Sequence, residues 1–122
     1  MTKKIYNIGV EATMDAIGGK WKPIILCNLR HSALRTSELK RNIPGISQKM
    51  LTQQLRELEE VNIIDRKVFN QVPPKVEYSL SDYGKTLGNV LDNLCSWGEM
   101  HVETLQQKGD DVTLKVNEST CS

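Results

Sequence analysis

Aromatic residues are scarce in this sequence, and no apolar segment is long enough to cross a membrane. Phe, Trp and Tyr make up only 5% of its 122 residues, so a buried core must consist mostly of aliphatic side chains. No apolar run approaches the roughly 20 residues of a membrane-spanning helix. The first residues include Lys3 and Lys4 but no apolar stretch of signal-peptide length. We therefore expect a soluble protein with a single core, located in the cytoplasm and without a membrane partner.

Cysteine and histidine are also few, which argues against a metal centre and against catalysis. Cys27, Cys95 and Cys121 stand at unrelated spacings without a C-x-x-C pair, a pattern that indicates neither a disulfide framework nor a zinc knuckle. Cys27 and His31 are four residues apart and could share one helical face, but two ligands do not make a metal site. The sequence also lacks a nucleophile elbow, a phosphate-binding glycine loop and an H-E-x-x-H motif. We expect no metal, no cofactor and no enzymatic activity.

Charge is divided unevenly along the chain, although the formal net charge is only +1. Residues 1–58 contain ten Lys or Arg and four Asp or Glu, a net charge of +6. Residues 59–122 contain six bases and eleven acids, a net charge of −5. A basic part joined to an acidic part predicts a polyanionic partner for the basic part, although solvated surfaces also produce such segregation by chance.

The apolar pattern predicts four helices, then a hairpin, then a long helix. The first helix covers residues 10–17 and ends at Gly18-Gly19. The other predicted elements are a buried helix after Pro23, a short helix over 37–42 capped by Thr36, a helix capped by Ser47, a hairpin over 63–80 and a helix of roughly 40 Å over 81–107. This order is typical of a winged helix-turn-helix. We predict a mainly α (α+β) fold in one domain over 1–107, with a core over 10–80 and a polar tail over 108–122.

The helix that follows Ser47 has two faces of different chemistry. Its apolar seam consists of Leu51, Leu55 and Leu58. The opposite face is a stripe of Lys49, Thr52, Gln53 and Arg56, and acids come only afterwards, at Glu57, Glu59 and Glu60. Amides and guanidinium groups can bond base edges in a major groove, whereas a carboxylate would meet phosphate charge. We expect the acidic end to lie where the helix leaves the groove. The alternative is a solvated amphipathic helix rich in Gln.

The neighbouring elements offer more basic and amide groups, which favours double-stranded DNA as the partner. The candidate base contacts are Gln48, Thr52, Gln53 and Arg56, and the candidate phosphate contacts are Arg35, Lys40, Arg41, Ser47, Lys49 and Lys75. Asn70 and Gln71, with Lys75, stand at the tip of the hairpin and suit the adjacent minor groove or its phosphates.

Several motifs resemble the HxlR-type family of bacterial transcription regulators, which are related to the MarR group. They are VEAT with IGGKWKPIIL, then IPGISQKMLTQQLRELE, VPPKVEYSLSDYG and Trp97-Gly98, and together they span about residues 8–106. The resemblance implies a homodimer on a near-palindromic operator, with residues 47–59 as recognition helix and 66–78 as wing, and we expect this regulator to act as a repressor. It also implies dimer contacts from the first helix and from the long C-terminal dimerisation helix. The candidate dimer contacts are Val10, Met14, Ile17, Leu87, Val90, Leu91, Leu94, Trp97, His101, Val102 and Leu105.

One position departs from the redox-sensing members of that family. Those members typically carry a cysteine in a C-P-x-E pattern, where this chain has Ile8 three residues before Glu11. Ile8 cannot form a thiolate, so that chemistry is not expected here. Tyr83, Trp97 and Met100 are candidates to line a pocket for an unidentified small-molecule effector, with core packing as the alternative. A thiol-responsive regulator and a winged-helix module that binds protein are the competing hypotheses.

Overall fold

The computed structural model describes residues 3–115, which form five α-helices, one short 3-10 helix and a three-stranded antiparallel sheet. In chain order they are α1 (Gly9–Ile17), α2 (Trp21–Asn28), β1 (Leu34–Arg35), α3 (Thr36–Asn42), α4 (Gln48–Glu60), β2 (Ile64–Phe69), β3 (Lys75–Leu80), the 3-10 helix (Gly84–Leu87) and α5 (Gly88–Gln107). This arrangement confirms the winged helix-turn-helix. None of the helices within that range is both long and apolar enough to cross a membrane. The predicted tail is described only to Lys115, and Cys121 lies outside the described residues.

The core is aliphatic, as the scarcity of aromatic residues predicts. Among the described residues, its buried side chains are all Ile or Leu, and every α-helix and both strands of the hairpin contribute at least one. They are Ile17, Ile25, Leu26, Leu29, Leu39, Ile43, Ile46, Leu51, Leu55, Leu58, Ile63, Ile64, Leu80 and Leu91. The three seam leucines of α4 are therefore central to the core, and their burial holds the opposite face of α4 outward.

Local hydrogen bonds set both ends of α4. The Ser47 hydroxyl accepts the Met50 N–H at 3.0 Å, which confirms the predicted N-cap. At the other end Asn62 adopts a left-handed conformation with a φ of 64°. The Ile63 N–H then donates to the Leu58 carbonyl at 3.0 Å, so α4 ends in a Schellman turn that leads into β2.

The segment before α4 differs from the prediction in two respects. Helix α3 begins at Thr36, so the residue before it, Arg35, is the N-cap, and its backbone N–H donates to the Glu38 carboxylate at 2.9 Å. Thr36 is thus the first helical residue and not the cap. Strand β1, which the sequence did not predict, pairs Leu34 with Tyr78 of β3. Two residues are too few to show an alternation of apolar and polar side chains.

The C-terminal helix begins later than predicted, because Ser81 is buried in a turn. Its hydroxyl donates to the Asn62 carbonyl at 2.6 Å and accepts the Gly84 N–H at 2.9 Å. A Cβ at Gly84 would lie 2.0 Å from the Ile63 carbonyl oxygen, so the backbone passes there too closely for a side chain. The regular helix starts only at Gly88, and its 20 residues extend about 30 Å instead of 40 Å.

Candidate nucleic-acid interface

The outer face of α4 carries five of the predicted DNA contacts. They are Gln48, Lys49, Thr52, Gln53 and Arg56, and all five are exposed and border one open surface groove. Within the set the Gln48 amide donates to the Thr52 hydroxyl at 3.3 Å. This face thus presents amide, hydroxyl and cationic groups, which are the types that bond base edges and phosphates.

Glu57 is the first acid after this stripe, and a lysine from another helix compensates its charge. Lys22 of α2 donates to one carboxylate oxygen of Glu57 at 2.8 Å, and Gln53 donates to the other at 3.2 Å. The Lys22 ammonium and then the Gln53 amide hold the pKa of Glu57 below its usual range. Glu57 is therefore a partner of the polar face, which the sequence pattern did not predict.

Helix α3 and the turn before α4 place further predicted DNA contacts on the surface. Lys40 and Arg41 are exposed in the last turn of α3, and Arg35 is exposed at its start. Ser47 is exposed as well, although its hydroxyl accepts the α4 cap bond. A hydroxyl retains its own hydrogen as a donor while it accepts, so the cap leaves Ser47 able to donate to a phosphate.

The wing is the β2–β3 hairpin, in which Asn70 and Gln71 are exposed at the tip. Lys75, a predicted phosphate contact, lies close to two other side chains of the hairpin. Its ammonium lies 3.2 Å from the Glu77 carboxylate and 4.7 Å from the centre of the Phe69 ring. Lys67 of β2, which was not among the predicted contacts, lies 4.8 Å from the centre of the same ring. Lys67 and Phe69 are two residues apart and therefore lie on one face of the strand.

The predicted dimer contacts fall into two groups. Val10, Met14, Val90, Leu94 and Trp97 are exposed apolar residues, and His101 is exposed with its ring stacked on Trp97 at 4.9 Å. Leu87, Val102 and Leu105 are half-buried, whereas Ile17 and Leu91 are buried within the protomer core. Ile17 and Leu91 thus hold α1 and α5 against the core instead of facing outward. Ile5, Tyr6 and Ile8 are further exposed apolar residues outside the predicted set.

The structure also places the candidate sensor cysteines and the residues that were predicted to line an effector pocket. Sγ of Cys27 lies 4.0 Å from Sγ of Cys95, so α2 and α5 approach each other at these residues. No group of three or more His, Cys, Asp or Glu between residues 3 and 115 is placed to hold a metal ion. A cavity of about 190 Å³ lies between α1 and the 3-10 helix, and Tyr83 borders it. Trp97 and Met100 are not among its lining residues and are exposed on α5.

Comparison with known proteins agrees with this architecture. Residues 16–106 match the family model described as HxlR-like helix-turn-helix. The chain is 65% identical over 102 residues to YtcD of Bacillus subtilis, an uncharacterized HTH-type transcriptional regulator, with 84% of this chain and 81% of YtcD covered. An uncharacterized HTH-type regulator of Methanothermobacter thermautotrophicus is 47% identical over 105 residues, covering 86% of this chain and 80% of that protein.

A solved structure has the same fold. The redox regulator HypR in its reduced form superposes with a TM-score of 0.77 at 46% identity, covering 82% of this chain and 99% of that one. The resemblance drawn from the motifs is thereby confirmed. The chain is a DNA-binding transcription regulator and belongs to the HxlR-like helix-turn-helix family.

Proposed function

We propose that the protein is a homodimeric repressor that binds a near-palindromic operator in double-stranded DNA and acts in the cytoplasm. The observation that carries this proposal is the outer face of α4. Its amides, hydroxyl and cations are exposed together, while an ion pair with Lys22 compensates the negative charge of the nearest acid, Glu57. This combination suits a helix in a major groove, because carboxylates on the part of the face that meets the DNA would be repelled by the phosphates.

The proposed contacts divide by chemistry. Gln48, Thr52, Gln53 and Arg56 bond base edges, and Ser47, Lys49, Arg35, Lys40, Arg41 and Lys75 bond phosphates. Asn70 and Gln71 at the wing tip reach the neighbouring minor groove or its backbone. The ion pair with Glu77 offsets part of the Lys75 charge, so we expect Lys75 to contribute less to affinity than Lys40 or Arg41.

We propose that residues 10–80 form the DNA-binding core and that residues 81–107 carry the dimer interface, together with α1. The exposed apolar side chains of α1 and α5, among them Met14 at 56% and Trp97 at 60% exposure, support this assignment, because several such groups on two elements favour an interaction surface. A symmetric dimer would present two α4 helices to major grooves about one helical turn, or a multiple, apart. Ile17 and Leu91 would support that interface from within the protomer.

Fluorescence anisotropy against labelled fragments of the protein's own upstream region tests the proposal. We expect tight binding to one fragment, with an affinity that falls steeply as salt rises because condensed counterions are released. Sedimentation of the free protein and of the complex measures the number of protomers. A protein that binds no fragment at any salt concentration would favour the protein-binding alternative. A monomer in the complex would contradict the dimer.

A further inference from the structure

The Gln53 side chain is held at one end by a group that can only accept hydrogen bonds. Gln53 Nε2 lies 3.2 Å from Oε2 of Glu57. The other oxygen of that carboxylate accepts the Lys22 ammonium at 2.8 Å. The same ion pair that neutralises Glu57 therefore also fixes the carboxylate oxygen that faces Gln53.

This contact determines which end of the Gln53 amide faces Glu57. An ionised carboxylate has no hydrogen to donate, so it accepts from the NH₂ end and repels the carbonyl end. The flipped amide would place two acceptor oxygens against each other. The Gln53 carbonyl oxygen consequently points away from Glu57, and one N–H of the amide is left for another acceptor. Because Lys22 is only 12% exposed, its ammonium has little freedom to release Glu57.

We propose that Lys22 and Glu57 are positioning residues that orient the Gln53 amide, so that Gln53 selects a base with an exocyclic amino group in the major groove. Adenine N6 and cytosine N4 are the two such groups, whereas guanine and thymine present only acceptors there. Adenine is preferred to cytosine, because its N7 can also accept the remaining N–H of Gln53. This inference rests on the proposed function, since it assigns a role within the α4 contact to DNA.

Bound sequences are selected from random DNA with the wild-type protein and with Gln53→Ala. The comparison of the two selections identifies the half-site position that Gln53 reads. At that position we expect the wild type to prefer adenine over guanine and thymine by about fivefold or more. Cytosine should rank below adenine and above guanine and thymine. The Glu57→Gln variant keeps the shape of the side chain but permits both orientations of Gln53, so the preference should fall to about twofold or less, the residual expected once the amide is no longer oriented.

Two further variants separate positioning from a general change of charge. Glu59→Gln makes the same charge change on an exposed residue of α4 and should keep the adenine preference. Both carboxylate substitutions should raise affinity for random DNA to a similar extent. Lys22→Met should lose the preference as Glu57→Gln does, whereas Lys22→Arg, which retains the cation, should preserve it. Circular dichroism verifies that each variant is folded, and Glu57→Gln decides the question if Lys22→Met does not fold.

The outcomes distinguish this inference from the function on which it rests. A wild-type protein that shows no salt-sensitive binding to DNA would overturn both. Sequence-selective binding in which Gln53→Ala removes a preference and Glu57→Gln retains it would overturn the positioning role alone. A wild-type preference for guanine or thymine at the Gln53 position would also overturn it.

Discussion

Nη1 of Arg30 lies 2.6 Å from Oδ1 of Asp92 and 3.3 Å from the Gly88 carbonyl oxygen. Arg30 follows α2, and both of its partners belong to α5, so one guanidinium joins the DNA-binding core to the first turns of the C-terminal helix. The Arg30 side chain is only 18% exposed, whereas Asp92 is 42% exposed. The contact therefore stabilises the attachment of α5 through two charge-assisted hydrogen bonds from a largely buried guanidinium.

Replacing Arg30 by Met should lower the free energy of unfolding by about 1–2 kcal/mol, because two hydrogen bonds are lost while Asp92 remains solvated. Urea unfolding at a fixed protein concentration measures this change. Lys85→Met provides the control, since Lys85 and Asp82 form an exposed pair at 3.8 Å and its loss should cost less than about 0.5 kcal/mol. Equal losses in the two variants would show that the Arg30 contact adds nothing to an ordinary surface pair.

Gly84→Ala should destabilise the fold by about 2–3 kcal/mol, because the new Cβ cannot be accommodated without moving backbone. That Cβ would lie 2.0 Å from the Ile63 carbonyl oxygen. Gly9→Ala is the matched control, because a Cβ there meets nothing within 4 Å, and its effect should stay within about 0.5 kcal/mol. The stability of each variant is measured by thermal unfolding and compared with that of the wild type. A Gly84→Ala protein as stable as the wild type would mean that the turn adjusts freely.

Ser47 should have two separable roles, as the cap of α4 and as a phosphate contact. Ser47→Ala removes the bond to the Met50 N–H and should cost about 1 kcal/mol of stability. Ser47→Asp retains a capping oxygen, so stability should be nearly preserved, but its carboxylate should weaken DNA binding. Denaturant unfolding and anisotropy measure the two effects. Unchanged DNA affinity in Ser47→Asp would remove Ser47 from the phosphate contacts.

Arg56 and Lys40 should affect DNA binding differently. Arg56→Ala should reduce the ratio of operator affinity to random-DNA affinity, because a guanidinium that bonds a base edge discriminates between sequences. Lys40→Ala should weaken both affinities about equally and reduce the salt slope by about 1, as expected for a phosphate contact. Both are measured by anisotropy over a range of salt concentrations. An unchanged ratio in Arg56→Ala would contradict the base-contact assignment of the α4 face.

The lowered pKa of Glu57 predicts a loss of stability on the acid side. The hydrogen bonds from Lys22 and Gln53 favour the ionised carboxylate, so its contribution is fully present above the usual pKa of 4.5 and is lost as pH falls through the lower pKa of the folded state. Because Glu57 is 40% exposed, the contribution should be below about 1 kcal/mol.

The measurement is the difference in unfolding free energy between the wild type and Glu57→Gln from pH 7 to pH 3. This difference should be constant down to about pH 5 and then shrink. Glu59→Gln, which changes the same charge without the Lys22 contact, corrects for the overall change in charge. A difference that grows as the pH falls would contradict the stabilising role of the ion pair.

Local sequence signals predicted most elements but misplaced the N-cap of α3 and the beginning of the C-terminal helix. Ser47 was predicted correctly as a cap because its hydroxyl acts within one turn of its own position. Ser81 has the same side chain, yet its hydroxyl bonds the Asn62 carbonyl 19 residues away. Only the packing of the hairpin end against the start of the C-terminal segment distinguishes these two serines. The same limit explains why β1 was missed, since its partner in β3 is more than 40 residues away.

The sequence by itself determined the aliphatic core, the two faces of α4 and the succession of helices and hairpin. Each of these follows from periodicity or capping within a few residues. Tertiary structure alone decided that Ile17 and Leu91 face inward while Met14 and Trp97 remain exposed. It also decided that Lys22 meets Glu57, 35 residues along the chain. Helical periodicity defines which side chains share a face, but the partner of that face depends on how distant helices pack.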